Sequence, residues 1–90
     1  MNEAFSPVIV LNAIDDVAVA RRSIPVGNPT GYGDLVAADL IGRGHKVALR
    51  PIASGQEVRK YGQIIGIATQ DILPGQAVHL HNLAMLPSEH

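Results

Sequence analysis

The sequence predicts a mostly β domain, small and built of short strands joined by repeated Ile-x-x-Gly corners, with little helix. Three observations lead there. Nine glycines and six prolines punctuate the 90 residues, and no uninterrupted amphipathic stretch exceeds about three turns. Between the breaks lie short runs rich in Val, Ile and Ala, which read as strands when turn signals bound them. One pattern, hydrophobic-Ala-x-x-x-Ile-x-x-Gly, also recurs four times along the chain.

The expected strands follow in order. Residues 8–11 (Val-Ile-Val-Leu) make the first and 17–20 (Val-Ala-Val-Ala) the second. Residues 47–50, 64–68 and 78–81 follow. The segment 35–41 (Leu-Val-Ala-Ala-Asp-Leu-Ile) fits either a strand or a short helix capped by Asp34 and closed by Gly42, because period cannot separate the two over so short a run. The four copies of the corner are Val19-Ala20 with Ile24 and Gly27, Val36-Ala37 with Ile41 and Gly44, Val47-Ala48 with Ile52 and Gly55, and Ile67-Ala68 with Ile72 and Gly75. In three of them a valine stands three residues after the glycine, at Val47, Val58 and Val78. The device reads as one unit: a strand ends, an isoleucine enters the core, glycine turns at positive φ, and the valine restarts a strand. Its irregular spacing predicts a compact β structure folded on itself, not an open solenoid.

Length and composition bound the function. Ninety residues hold one domain, here 1–90, burying roughly 60–65% of the unfolded surface. The absence of cysteine excludes disulfides, thiolate metal sites and cysteine nucleophiles within this chain. Seven basic and eight acidic residues, net charge −1, do not make the basic surface of a nucleic-acid binder. Phe5, Tyr32 and Tyr61 are too few for a base-stacking platform. No apolar run approaches a membrane span, and Met1-Asn2-Glu3-Ala4 lacks the positive region of a leader, so a cytoplasmic protein is expected.

Several residues can carry chemistry. His79 and His81, at i and i+2 of a strand, would share one face about 6.5–7 Å apart. Two imidazoles so placed can converge on a metal or a carboxylate-bearing ligand, or simply stand on a polar face. His45-Lys46 follows Gly42-Arg43-Gly44, but Val47 stands where a phosphate loop needs Ser or Thr. On a regular strand Lys46 and Arg50 share a face and would hold a carboxylate, with His45 on the other face as a ligand-facing or a backbone-bonded side chain. Tyr61 reads as a rim residue, and Asp15-Asp16 as a turn whose carboxylates bond local amides. Arg21-Arg22 reads as a solvated pair, and no serine lies in a nucleophile elbow.

The run Asp16-Val17-Ala18-Val19-Ala20-Arg21, then Gly44-His45-Lys46-Val47-Ala48-Leu49-Arg50, Lys60-Tyr61-Gly62, Ile65-Gly66-x-Ala68-Thr69 and Gly75-x-x-Val78-His79-Leu80-His81-Asn82-Leu83 resembles the SAF domain of the altronate/galactarate dehydratase family. The resemblance spans about Val8 to Leu83, and residues 28–34 match it poorly. It implies a β-clip fold and a role as the small subunit or N-terminal domain of a sugar-acid dehydratase, which removes water to leave a 2-keto-3-deoxy acid. It implies His45 and Lys46 as catalytic residues, and Lys46, Arg50 and Asn82 as substrate contacts. His79 and His81 would be metal ligands for a divalent ion, Fe2+ or Mn2+, completed by the partner. The implied partners are a large dehydratase subunit and a small sugar acid, with homo-oligomers possible in the partner's absence. A sulfolactate sulfo-lyase small subunit and a non-enzymatic SAF binding or assembly module are the alternatives.

Overall fold

The computed structural model describes residues 6–86. Met1 to Ala4, read above for a leader, lie outside them, as do Phe5 and Ser88. All regular structure among the described residues is strand. These are β1 (Val8–Ile9), β2 (Val17–Ala20), β3 (Lys46–Ala48), β4 (Glu57–Lys60), β5 (Gln63–Ala68), β6 (Ala77–Val78) and β7 (Leu83–Met85). They form two antiparallel sheets, β1-β2-β3-β6 and β4-β5-β7. The expected class is thus what the chain adopts. Segment 35–41 is extended, with bridges at Val36 and Ile41 and no helix. β4 and β7 extend the expected list, and the strand expected over 78–81 stops at Val78.

The four corners interlock in two pairs. Ile24 and Ile41 exchange both backbone hydrogen bonds (2.8 and 3.0 Å), and so do Ile52 and Ile72 (2.9 and 2.8 Å). Each corner glycine then donates its amide to the alanine carbonyl of the other copy: Gly27 to Ala37, Gly44 to Ala20, Gly55 to Ala68 and Gly75 to Ala48, at 2.7–2.8 Å. All four glycines have φ between 81° and 89°, the left-handed region that a side chain makes costly. The motif therefore recurs because each copy closes the turn of its partner.

Two apolar cores follow from this pairing. Ile24 and Ile41 lie in one with Val8, Ala18, Val47 and Leu49, and Ile52 and Ile72 in the other with Val17, Ala48, Val58 and Val78. Strand alternation explains the division: along β2 and β3 the odd and even residues face opposite cores. The position three residues after each glycine is fully buried in every copy. Val47, Val58 and Val78 occupy it, and in the first copy Thr30 does. Thr30 has the shape of valine, and its hydroxyl donates to the Leu35 carbonyl (2.9 Å) and accepts the Tyr32 amide (3.2 Å).

Candidate functional site

His45 is set by the second corner. Its amide closes the turn onto the Gly42 carbonyl (2.9 Å), and its carbonyl receives the Ala20 amide (2.8 Å). Its ring lies against the Gly42 α-carbon, where an added Cβ would stand 3.6 Å from the imidazole. The β3–β6 register pairs Lys46 with Val78, so the next position brings His45 opposite His79. The two rings stack with centroids 5.2 Å apart and planes at 24°. Both residues are exposed.

His79 begins a turn, not a strand continuation. Asn82 builds that turn: its Oδ1 accepts the His79 amide (2.9 Å), its Nδ2 donates to the Ala77 carbonyl (2.9 Å), and its own amide donates to the His79 carbonyl (3.1 Å). The strand face expected to align His79 with His81 is therefore absent. His81 instead lines a separate cleft with Asp39, Gln70, Asp71 and Gln76, and its carbonyl receives Gln70 Nε2 (3.1 Å). Asn82, expected at the substrate, is buried and occupied by the turn.

Lys46 takes the face of the first sheet that it shares with Val17, Val19, Ala48 and Val78, toward the second core. It is half-buried, and no carboxylate pairs with it among the described residues. Burial, and then the nearby Lys60 charge, hold its ammonium below the usual lysine value. The face expected to join Lys46 to Arg50 does not form, because β3 ends at Ala48. Arg50 lies beyond the end of β3, where Nη2 donates to the Ala13 carbonyl (3.2 Å) and Nε lies 3.9 Å from Asp16.

Lys60 and Tyr61 stand at the β4–β5 tip. Tyr61 at φ 54° and Gly62 at φ 80° make the two-residue turn with both central residues left-handed. The Lys60 ammonium sits 5.3 Å over the Tyr61 ring. The turn is clamped from afar: Asp15 Oδ1 accepts the Gly62 amide (2.7 Å), and Asp16 Oδ2 accepts the Arg59 amide (2.9 Å). Both aspartates are buried, so the local-turn expectation is corrected: their partners lie more than forty residues on. The adjacent acids were visible in the sequence, but nothing short-range named their partners.

The donors do not fit a metal by themselves. No group of three or more His, Cys, Asp or Glu among the described residues is placed to hold one. The stacked rings of His45 and His79 are nearly parallel, so their in-plane lone pairs run side by side and do not meet at the ~2 Å of a metal–imidazole bond. His79 and His81 are divided between two surfaces.

Fold and site together define a small interlocked strand module that carries a paired imidazole at one end of its first sheet. Over residues 6–86 the chain matches the family model of the altronate/galactarate dehydratase SAF domain, and it belongs to that family. It is 41% identical over 76 residues to an altronate dehydratase of Escherichia coli and, at the same identity and length, to one of Bacillus subtilis. Each match covers 82% of this chain and 15% of the relative, so the chain spans a small part of those enzymes. It is also 44% identical over 45 residues to the alpha subunit of a (2R)-sulfolactate sulfo-lyase of Chromohalobacter salexigens, covering 50% of this chain and 48% of that one. No helix among the described residues is long and apolar enough to cross a membrane.

Proposed function

We propose that this chain is the SAF part of a sugar-acid dehydratase of the altronate or galactarate type, working as a small subunit or N-terminal portion beside a larger catalytic polypeptide. The observation that carries the reading is the exposed His45–His79 stack, held on one side by backbone hydrogen bonds of His45 and on the other by the Asn82 side chain. The reaction takes a proton from the carbon next to a carboxylate and hydroxide from the next carbon. Water leaves, and the enol that remains rearranges to a 2-keto-3-deoxy acid. A base must accept the first proton and an acid must protonate the departing hydroxyl, work that imidazoles do near neutral pH. Negative charge grows on the substrate carboxylate as the proton leaves. Lys46 lies on the opposite face of the sheet from the imidazoles, so in this reading a cation of the larger polypeptide meets that charge.

In this reading His45 and His79 act at the reacting carbons, and the larger polypeptide holds the carboxylate and encloses the substrate. A soluble complex in the cytoplasm follows from the same reading. The sulfo-lyase relative supports a second version in which sulfite is the leaving group. Reconstitution with the large polypeptide of the same organism, assayed on altronate, galactarate and sulfolactate, tests both. The assembly is expected to release a 2-keto acid from one of the sugar acids, and the isolated chain to be inactive. His45→Gln and His79→Gln are each expected to lower kcat by about 100-fold or more without loss of assembly. Turnover by the isolated chain, or an unchanged kcat in the double variant, overturns the reading.

A further inference from the structure

A second surface adjoins the turn that begins at His79. Asp39, Gln70, Asp71, Gln76, His81 and Asn82 wall a polar cleft of about 160 Å³. Three leucines flank it: Leu40 is next to Asp39, Leu73 is two residues from Asp71, and Leu80 is next to His81. They are 64%, 59% and 71% exposed, large apolar side chains left in water. The Leu73 amide is bonded to the Gln76 side chain in the wall (2.8 Å), so that leucine is tied to the cleft's edge. Each aspartate uses one oxygen on a backbone amide, Asp39 on Ala77 and Asp71 on Ser54, which leaves the other free to accept. No lysine or arginine lines the cleft.

We propose that this leucine-rimmed cleft is the surface on which the larger catalytic polypeptide docks, and that the polypeptide places a basic side chain between Asp39 and Asp71. The proposal rests on the reading above that such a polypeptide completes the site. Two observations choose this occupant. The matched dehydratases are 85% other sequence, so a large body must be accommodated beside this module. The cleft carries two carboxylates with no lining cation, and exposed leucines stand beside its lining residues in the chain, apolar area that a partner would cover. The face also has a mechanical consequence. Leu80 and His81 belong to the turn that starts at His79 and is closed by Asn82. A partner gripping Leu80 therefore fixes the turn that positions His79 against His45.

The test is binding and activity of the chain with the large polypeptide of its own organism, followed by sedimentation and by 2-keto acid release. Leu80→Asp is expected to weaken association by about ten-fold or more, and Asp71→Asn by several-fold with a flatter dependence on salt. Leu11→Asp is the control: Leu11 is 70% exposed but lines a different cleft, and association is expected to stay within about two-fold. Melting temperatures of the three variants report whether each is folded. If a folded Leu80→Asp and a folded Asp71→Asn both bind as the wild type does, the docking surface is overturned while the dehydratase reading stands. If the wild-type chain binds no such polypeptide, both fall. If binding is lost only in Leu11→Asp, the partner sits on a different surface and the proposal is wrong.

Discussion

Thr30 shows how one residue carries both shape and polarity. It fills the position that valine takes in the other three corners, but its buried hydroxyl makes two hydrogen bonds in the loop 30–35. Thr30→Val keeps the shape and leaves the Tyr32 amide without that acceptor, a loss of about 1–2 kcal/mol in denaturant unfolding. Removing volume costs more. Ile52→Ala or Ile72→Ala empties a fully buried site in the second core and is expected to cost about 2–5 kcal/mol. Lys46 sets a pH signature. Its ammonium is depressed in the folded state, so the unfolded chain binds more protons in the window just below the ordinary value of 10.5. Stability should therefore rise with pH through that window, and Lys46→Met should remove the rise. Thermal melts of the two proteins across the alkaline range check this by difference.

Among the elements, the paired corner is the unit of stability. Its glycines are not equivalent. At Gly55, φ is 87° and an added Cβ would meet nothing, so Gly55→Ala carries only backbone strain of about 1 kcal/mol. At Gly75, φ is 89° and a Cβ would collide with the Val36 carbonyl and crowd the Ala38 amide. Gly75→Ala is therefore expected to cost clearly more than Gly55→Ala, as measured by denaturant midpoints, and equal costs would show that the contact with residues 36–38 is unimportant. The β4–β5 tip makes a similar point. A tyrosine at φ 54° persists there because the buried Asp15 holds the following glycine's amide. Asp15→Asn retains an oxygen for that bond and should be milder than Asp15→Ala, which removes it.

At the scale of the molecule, two interlocked halves present unlike surfaces. The Lys46 end of β3 carries the stacked imidazoles, and the far end carries Arg50 paired with Asp16. The turn 79–82 lies between the histidine pair and the leucine-rimmed cleft, so chemistry and assembly are neighbours. Loss of activity with retained assembly is expected for His79→Gln, and loss of both for Leu80→Asp, a contrast that a single preparation of the complex can measure.

Much of this was legible in the sequence. The all-strand architecture, the four buried isoleucines and the turning glycines are properties of local spacing, because a corner needs an apolar plug and a left-handed residue a fixed few positions apart. The resemblance through Gly44-His45-Lys46 and His79-Leu80-His81-Asn82 was equally plain. What only the tertiary structure decided depends on register between distant segments. Which corners pair, that Thr30 is a fourth valine, and that Asp15 and Asp16 reach residues 62 and 59 are all contacts across long loops. The histidines are the sharpest case: ending β6 three residues earlier than the spacing implied takes His81 away from His79. The partner of His79 is His45, thirty-four positions earlier, because backbone pairing between β3 and β6 sets which side chains meet, and no local pattern records that pairing.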